Sequence, residues 1–129
     1  MNDLVAWLRS DIEHELALAR AAGGAPWVGS TEHFEVQTVE GLTVVDGFEI
    51  SDPRFRATID HIVRHDPAAT IDRCESDLAI LSLHEHAHGC GGPADSRRWV
   101  SDDEDCPTVR LLAYGRRHHR PGWREEWKP

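Results

Sequence analysis

The stretch LSLHEHAHGCGG, Leu81 to Gly92, concentrates the residue types that bind metals and move protons. His84, Glu85 and His88 satisfy H-E-x-x-H, in which two histidines on one helix face hold Zn²⁺ and the glutamate polarises a water. In a zinc-dependent hydrolase of that kind Glu85 is the catalytic base, and Cys106, His118 or His119 supplies the third ligand. The surroundings suit this reading less well than the spacing does. Gly89, Gly91 and Gly92 end a helix where the pattern needs it to continue, and the only sheet in prospect is a hairpin. Nine histidines in 129 residues also make a chance match easy.

The same stretch supports a metal site without catalysis. His84, His88, Cys90 and Cys106 form the set H-x3-H-x-C-x15-C. Two imidazoles and two thiols are the donors of a closed tetrahedral zinc site, which here would tie two helix ends together across a long loop. Cys106 stands just before Pro107 at a helix start, where the helix dipole favours a thiolate. There is no C-x-x-C knuckle, and the inner spacing H-x-C is unusual. A third reading needs no metal: solvated histidines on a frayed helix end beside two ordinary thiols. Taken alone, the sequence ranks this plain reading first.

His61 and His65 make a second pair at i and i+4, followed by Asp66. They form either half a metal site or a proton-transfer pair, or else a helix–helix corner. The corner is the stronger reading, because His65 suits a helix C-terminus and Asp66 caps the next helix. Cys74 falls on an apolar helix face and reads as a buried core residue.

The elements that must position these groups follow from periodicity and punctuation. Leu4, Val5, Leu8, Ile12, Leu16 and Ala19 recur at helical spacing, predicting a helix over residues 2–22, capped by Asn2 or Asp3 and stopped by Gly23-Gly24. Pro26-Trp27 begins an extended segment. Phe34, Val36 and Thr38 alternate with polar neighbours, Glu40-Gly41 makes a turn, and Leu42, Val44 and Val45 continue, predicting a β-hairpin over 33–50. A capping residue followed by proline opens three more helices, at Asp52-Pro53, Asp66-Pro67 and Cys106-Pro107. They are predicted over 53–65, 67–87 and 107–115. Residues 89–105 have no periodicity and read as a loop, acidic at Asp102 to Asp105. A loop of that length in a compact domain needs something to hold it.

The expected fold is therefore α+β: one small domain, mainly helical, with about four helices, one hairpin and a C-terminal tail wrapped over the surface. No run approaches the ~20 apolar residues of a membrane span, and the N-terminus lacks a signal-peptide pattern, so the expected location is the cytoplasm. Three cysteines, an odd number, argue for reduced thiols rather than a disulfide framework.

The net charge of −9 is unevenly spread. Residues 1–106 carry eight basic and twenty-one acidic side chains, whereas residues 107–129 carry six basic and two acidic ones. So acidic a body repels nucleic acid, and the basic tail is expected to lie on its own acidic body.

The segments LVAWLR, APW, VVDGFEISDPRFRATIDHIVRHDPAATI, CPTVRLLA and PGWREEWKP together resemble a domain-of-unknown-function family of small proteins from actinobacteria and their phages. The resemblance runs nearly end to end. It implies that the His84-Glu85 pair is a family feature and that a histidine at His88 is not. It also implies a loop over 89–105 that varies among relatives and in some carries extra cysteines. Relatives tend to have Tyr-Ala-Asp-His before the closing proline; here YGRRHHRPGW departs from that, and His119 is the nearest match. No activity comes with the resemblance. The expected role is thus a small accessory protein that binds another protein, with zinc as a possible staple. A zinc hydrolase and a nucleic-acid mimic or binder are the alternatives.

Overall fold

In a computed structural model, residues 2–30, 32–47, 54–91 and 98–129 are described. The fold is α+β. Its helices are α1 (Asp3–Ala21), α2 (Arg54–Arg64), α3 (Pro67–His84) and α4 (Pro107–Arg116), followed by a 3-10 turn at Glu125–Trp127. Its strands are β1 (Trp27–Ser30), β2 (Glu35–Thr38), β3 (Thr43–Val45), β4 (His88–Cys90) and β5 (Arg98–Val100). The chain clusters into two compact units, Met1–Glu15 with Cys74–Pro129, and Leu16–Arg73. No helix among the described residues is long and apolar enough to cross a membrane.

In the Leu16–Arg73 unit, α1 ends as its glycines require. The Gly24 amide donates to the Ala19 carbonyl at 3.1 Å and the Gly23 amide to Arg20 at 3.0 Å, with φ of +67° and +104°. That is a Schellman closure, in which glycine takes the left-handed turn without a Cβ penalty. The chain then enters a three-stranded antiparallel sheet ordered β1-β2-β3. Val36 of β2 packs with Phe55 and Ile59 of α2, supported by Trp27, Ile62 and Val63. At Gly29 in β1 a Cβ would stand 2.5 Å from Ile59 Cγ2, so glycine is what lets α2 lie so close.

Two expectations are corrected here. The hairpin over 33–50 is two strands of a three-stranded sheet, because the segment after Pro26 pairs with β2 from Trp27↔Thr38 to Ser30↔Glu35. A lone hairpin would be marginal, and the added strand gives α2 a surface to cover. Phe34 is not a strand residue. It takes φ +54° in the preceding turn, 61% exposed, with its ring 5.2 Å from that of Phe55. The expected cap at Ser51-Asp52-Pro53, with residues 48–50, lies outside the described residues.

The corner at Asp66 is built from its two carboxylate oxygens. Oδ1 accepts the Ala69 amide at 2.8 Å, capping α3, and Oδ2 accepts the Trp27 amide at 3.0 Å, fixing the start of β1. His61 and His65 lie ring to ring, centroids 4.7 Å apart, and the Arg73 guanidinium reaches His65 Nδ1 at 3.3 Å. A cation beside the imidazole is the opposite of what a second metal site needs. Since Asp66 is buried, Asp66→Ala strands two amides and is expected to lower the unfolding free energy by about 2–3 kcal/mol. Urea denaturation measures this, and Asp66→Asn should recover part of it.

In the other unit, Leu4, Leu8 and Ile12 of α1, Leu81 and Cys74 of α3, and Val109 and Ala113 of α4 are fully buried. Asn2 caps α1, its Oδ1 accepting the Val5 amide at 2.8 Å. The C-terminal tail is anchored by aromatic contacts: Trp7 lies 5.6 Å from Trp123 and 5.9 Å from Trp127, and its indole N–H donates to the Pro121 carbonyl at 2.8 Å. Arg110 donates to the carbonyls of Glu126 and Lys128, both at 3.0 Å.

Candidate metal centre

The helix α3 stops at His84, three residues short of the expected end at 87, and residues 85–87 bend away. The Ala87 amide, instead of finding a helical carbonyl, donates to Asp102 Oδ1 at 2.7 Å. His88 therefore begins a strand rather than sitting one turn further along a helix. The expected loop over 89–105 is likewise corrected, since β4 and β5 pair antiparallel, with His88↔Val100, Gly89↔Trp99 and Cys90↔Arg98. Three-residue strands are too short to show alternation, and that is why the pattern was silent.

The acidic run holds this hairpin in place. Asp102 takes the Ala87 amide. Glu104 accepts the Ser101 amide at 3.0 Å and pairs with Arg98 at 2.9 Å, and Asp105 pairs with Arg110 at 3.0 Å. Val100 is buried, and the turn after it delivers Cys106 to the N-cap of α4, with Pro107 behind it.

These elements gather four side chains. Nδ1 of His84, Nε2 of His88 and the sulfurs of Cys90 and Cys106 all lie within 4.8 Å of one another. The nitrogens are 2.9 Å apart and the sulfurs 3.4 Å. Cys106 Sγ stands 3.5 Å from His84 and 3.3 Å from His88, and Cys90 Sγ 3.7 Å from His84. Zn–S bonds of about 2.3 Å and Zn–N bonds of about 2.0 Å, disposed tetrahedrally, separate the donors by roughly 3.3–3.8 Å. Five of the six separations lie within about half an ångström of that range, and the sixth, between Cys90 Sγ and His88 Nε2, is at most 4.8 Å. The cluster can hold a metal ion.

Its electrostatics favour the ligating form at His84 and Cys90 and oppose it at His88 and Cys106. His88 Nδ1 contacts the His86 carbonyl at 2.5 Å, which places the proton on Nδ1 and turns the Nε2 lone pair inward; this contact also raises the His88 pKa. Burial lowers that of His84, and the neighbouring His88 adds to the effect. The Thr108 hydroxyl, 3.4 Å from Cys90 Sγ, is the largest influence bringing that thiol down to about 7. Burial pushes the Cys106 thiol up, against the pull of the Val109 and Thr108 amides. One sulfur is thus ready to be a thiolate near neutral pH.

Glu85 is not part of the group. It forms an ion pair with Arg9 and lies 3.9 Å from His86. His118 and His119 are also outside it; His119, at φ +60°, lines a separate cleft with Trp7, His14 and Arg120. So of the expected site residues the structure joins His84, His88, Cys90 and Cys106, and it leaves Glu85, His61, His65 and Asp66 elsewhere.

A family model described as "Family of unknown function (DUF6221)" matches residues 1–129. The chain belongs to that family. No curated protein and no solved structure matches it. For this DUF6221 chain, two supporting residues could not be singled out beforehand. Thr108 is one, although a hydroxyl directly after Cys106-Pro107 was a usable signal. Arg116 is the other: its guanidinium meets Asp11 at 2.9 Å, Asp77 at 2.8 Å and also Glu15. Its only advance sign was the charge contrast between the tail and the body.

Proposed function

We propose that this is a small acidic cytoplasmic accessory protein that binds another protein and is stapled by one structural zinc ion on His84, His88, Cys90 and Cys106. The observation that carries the reading is the convergence of two sulfurs and two ring nitrogens within 4.8 Å of one another, from a helix end, a strand and a helix N-cap. Four protein donors close the coordination sphere, the mark of a structural rather than a catalytic site. The hydrolase alternative is weakened by the same closure and by the engagement of Glu85 with Arg9. The nucleic-acid alternative is weakened by the ion pairing of Arg110, Arg116, Arg120 and Arg124 with acidic side chains of the chain itself. For the protein partner, the support is an indole on the zinc-tied hairpin: Trp99 is 67% exposed, opposite Gly89.

Elemental analysis of protein purified without a histidine tag tests the staple. The expected content is one zinc per chain, lost in both Cys90→Ser and His88→Ala. Glu85→Gln should keep zinc and fold. Zinc retained by Cys90→Ser but lost from His88→Ala points instead to the hydrolase, and absence of metal from the unaltered protein rejects both metal readings.

A further inference from the structure

We propose that Cys90 and Cys106 are an oxidant-sensitive pair, and that joining them in a disulfide dismantles the metal centre. The inference rests on the zinc reading of the site and concerns its regulation.

The two sulfurs are 3.4 Å apart. A disulfide bond is about 2.0 Å long, so they must close by little more than an ångström. The metal ligands and the bond-forming partners are the same atoms, so the two states exclude each other. Once both sulfurs are in a disulfide, only the nitrogens of His84 and His88 remain as donors, half of a tetrahedral set. The hairpin then hangs on a bond between Cys90 and α4 and loses its tie to the end of α3.

The pair is selective within the chain. Cys90 is 7% exposed, and the glycines on either side of it, Gly89 and Gly91, are exposed. Cys74 is fully buried, with its sulfur 3.7 Å from the Glu15 carboxylate. It lies ten residues before His84 on the same helix, about 15 Å along the axis, so it cannot reach the site.

With hydrogen peroxide as oxidant the steps balance. The Cys90 thiolate attacks one peroxide oxygen, the O–O bond breaks, and the departing hydroxide takes a proton to become water. Cys90 is then a sulfenic acid. The Cys106 sulfur attacks the Cys90 sulfur, the S–O bond breaks, and the departing hydroxide takes a second proton from solvent and leaves as water. Two thiolates lose two electrons, and one peroxide with two protons from solvent becomes two waters. A dithiol reductant reverses the change by exchange.

The test treats zinc-loaded wild-type protein with hydrogen peroxide, following zinc release with a chromogenic chelator and disulfide formation by intact mass and peptide mapping. One zinc per chain is expected to leave in step with a mass loss of two hydrogens mapped to Cys90–Cys106. Dithiothreitol and added zinc should restore the starting state, and Cys74→Ser should respond in the same way. Zinc that stays bound while the thiols survive, or oxidation of Cys90 to sulfinic acid with no disulfide, overturns this inference and leaves the staple standing. Protein that holds no zinc before peroxide is added overturns the staple, and this inference with it.

Discussion

Removing the metal is expected to lower the melting temperature by roughly 10–15 °C. A ligand present at 100 to 1,000 times its Kd stabilises the folded state by about 3–4 kcal/mol, and for a chain of this size each kcal/mol moves the midpoint by roughly 3–5 °C. The loss should not reach complete unfolding, as it does in a zinc finger, because this chain has apolar helix faces at Leu4, Leu8, Ile12, Leu81 and Val109 that need no metal. Calorimetry before and after EDTA, with zinc content measured on the same samples, gives the number, and zinc added back should restore the first curve. A midpoint that does not move in demonstrably zinc-free protein rejects the staple. Hydrogen exchange localises the effect: amides of β4 and β5 should lose protection, whereas those of β1 to β3 should change little.

The four donor residues were legible from the sequence, but their convergence was not. Spacing can place His84 and His88 at i and i+4, yet the H-E-x-x-H pattern presumes that the helix continues between them. It ends at His84, and only the strand that follows turns His88 Nε2 toward the cysteines. A change of element inside a five-residue motif leaves no periodic trace. The sulfurs are separated by fifteen residues without periodicity, and what brings them to 3.4 Å is a short strand pair plus side-chain bonds from Asp102 and Glu104. In the sequence those acids look like a solvated charge run.

The helices were read more easily, because their determinants are local. Asn2, Asp66-Pro67 and Cys106-Pro107 mark starts by capping chemistry, and Gly23-Gly24 mark an end by backbone freedom. The sheet was half read. The β2–β3 turn at Gly41, φ +88°, announces itself, but β1 consists of Trp27, Val28, Gly29 and Ser30, with no alternation to declare a strand. Its reason for being there is non-local: Gly29 must be small for Ile59 to pass. Pairings set by a residue thirty positions away are where single-sequence reading fails.

Charge patterning carried further than expected, and Arg116 is where it matters most. Arg116→Met is expected to destabilise the protein by about 3–5 kcal/mol, the usual cost of breaking a buried ion pair from one side. The side chain of Arg116 is 14% exposed, and its nitrogens meet Asp11, Asp77 and Glu15. Burial alone would lower its pKa, but Asp11 and Glu15 more than offset this and raise it, so the guanidinium stays charged. Methionine keeps much of the volume and removes the charge, leaving Asp11 and Glu15 to share Arg120, at 2.7 Å and 3.7 Å, and Asp77 without its Arg116 partner. Urea denaturation gives the loss, and a coupled variant separates its causes. If the cost is uncompensated charge, Arg116→Met combined with Asp11→Asn and Asp77→Asn should recover a large part of it; if it is lost packing, the added changes should only deepen it. Recovery would mean that the basic tail serves chiefly to neutralise the acidic face of α1. The net charge of −9 would then be what remains for a partner to meet after that neutralisation.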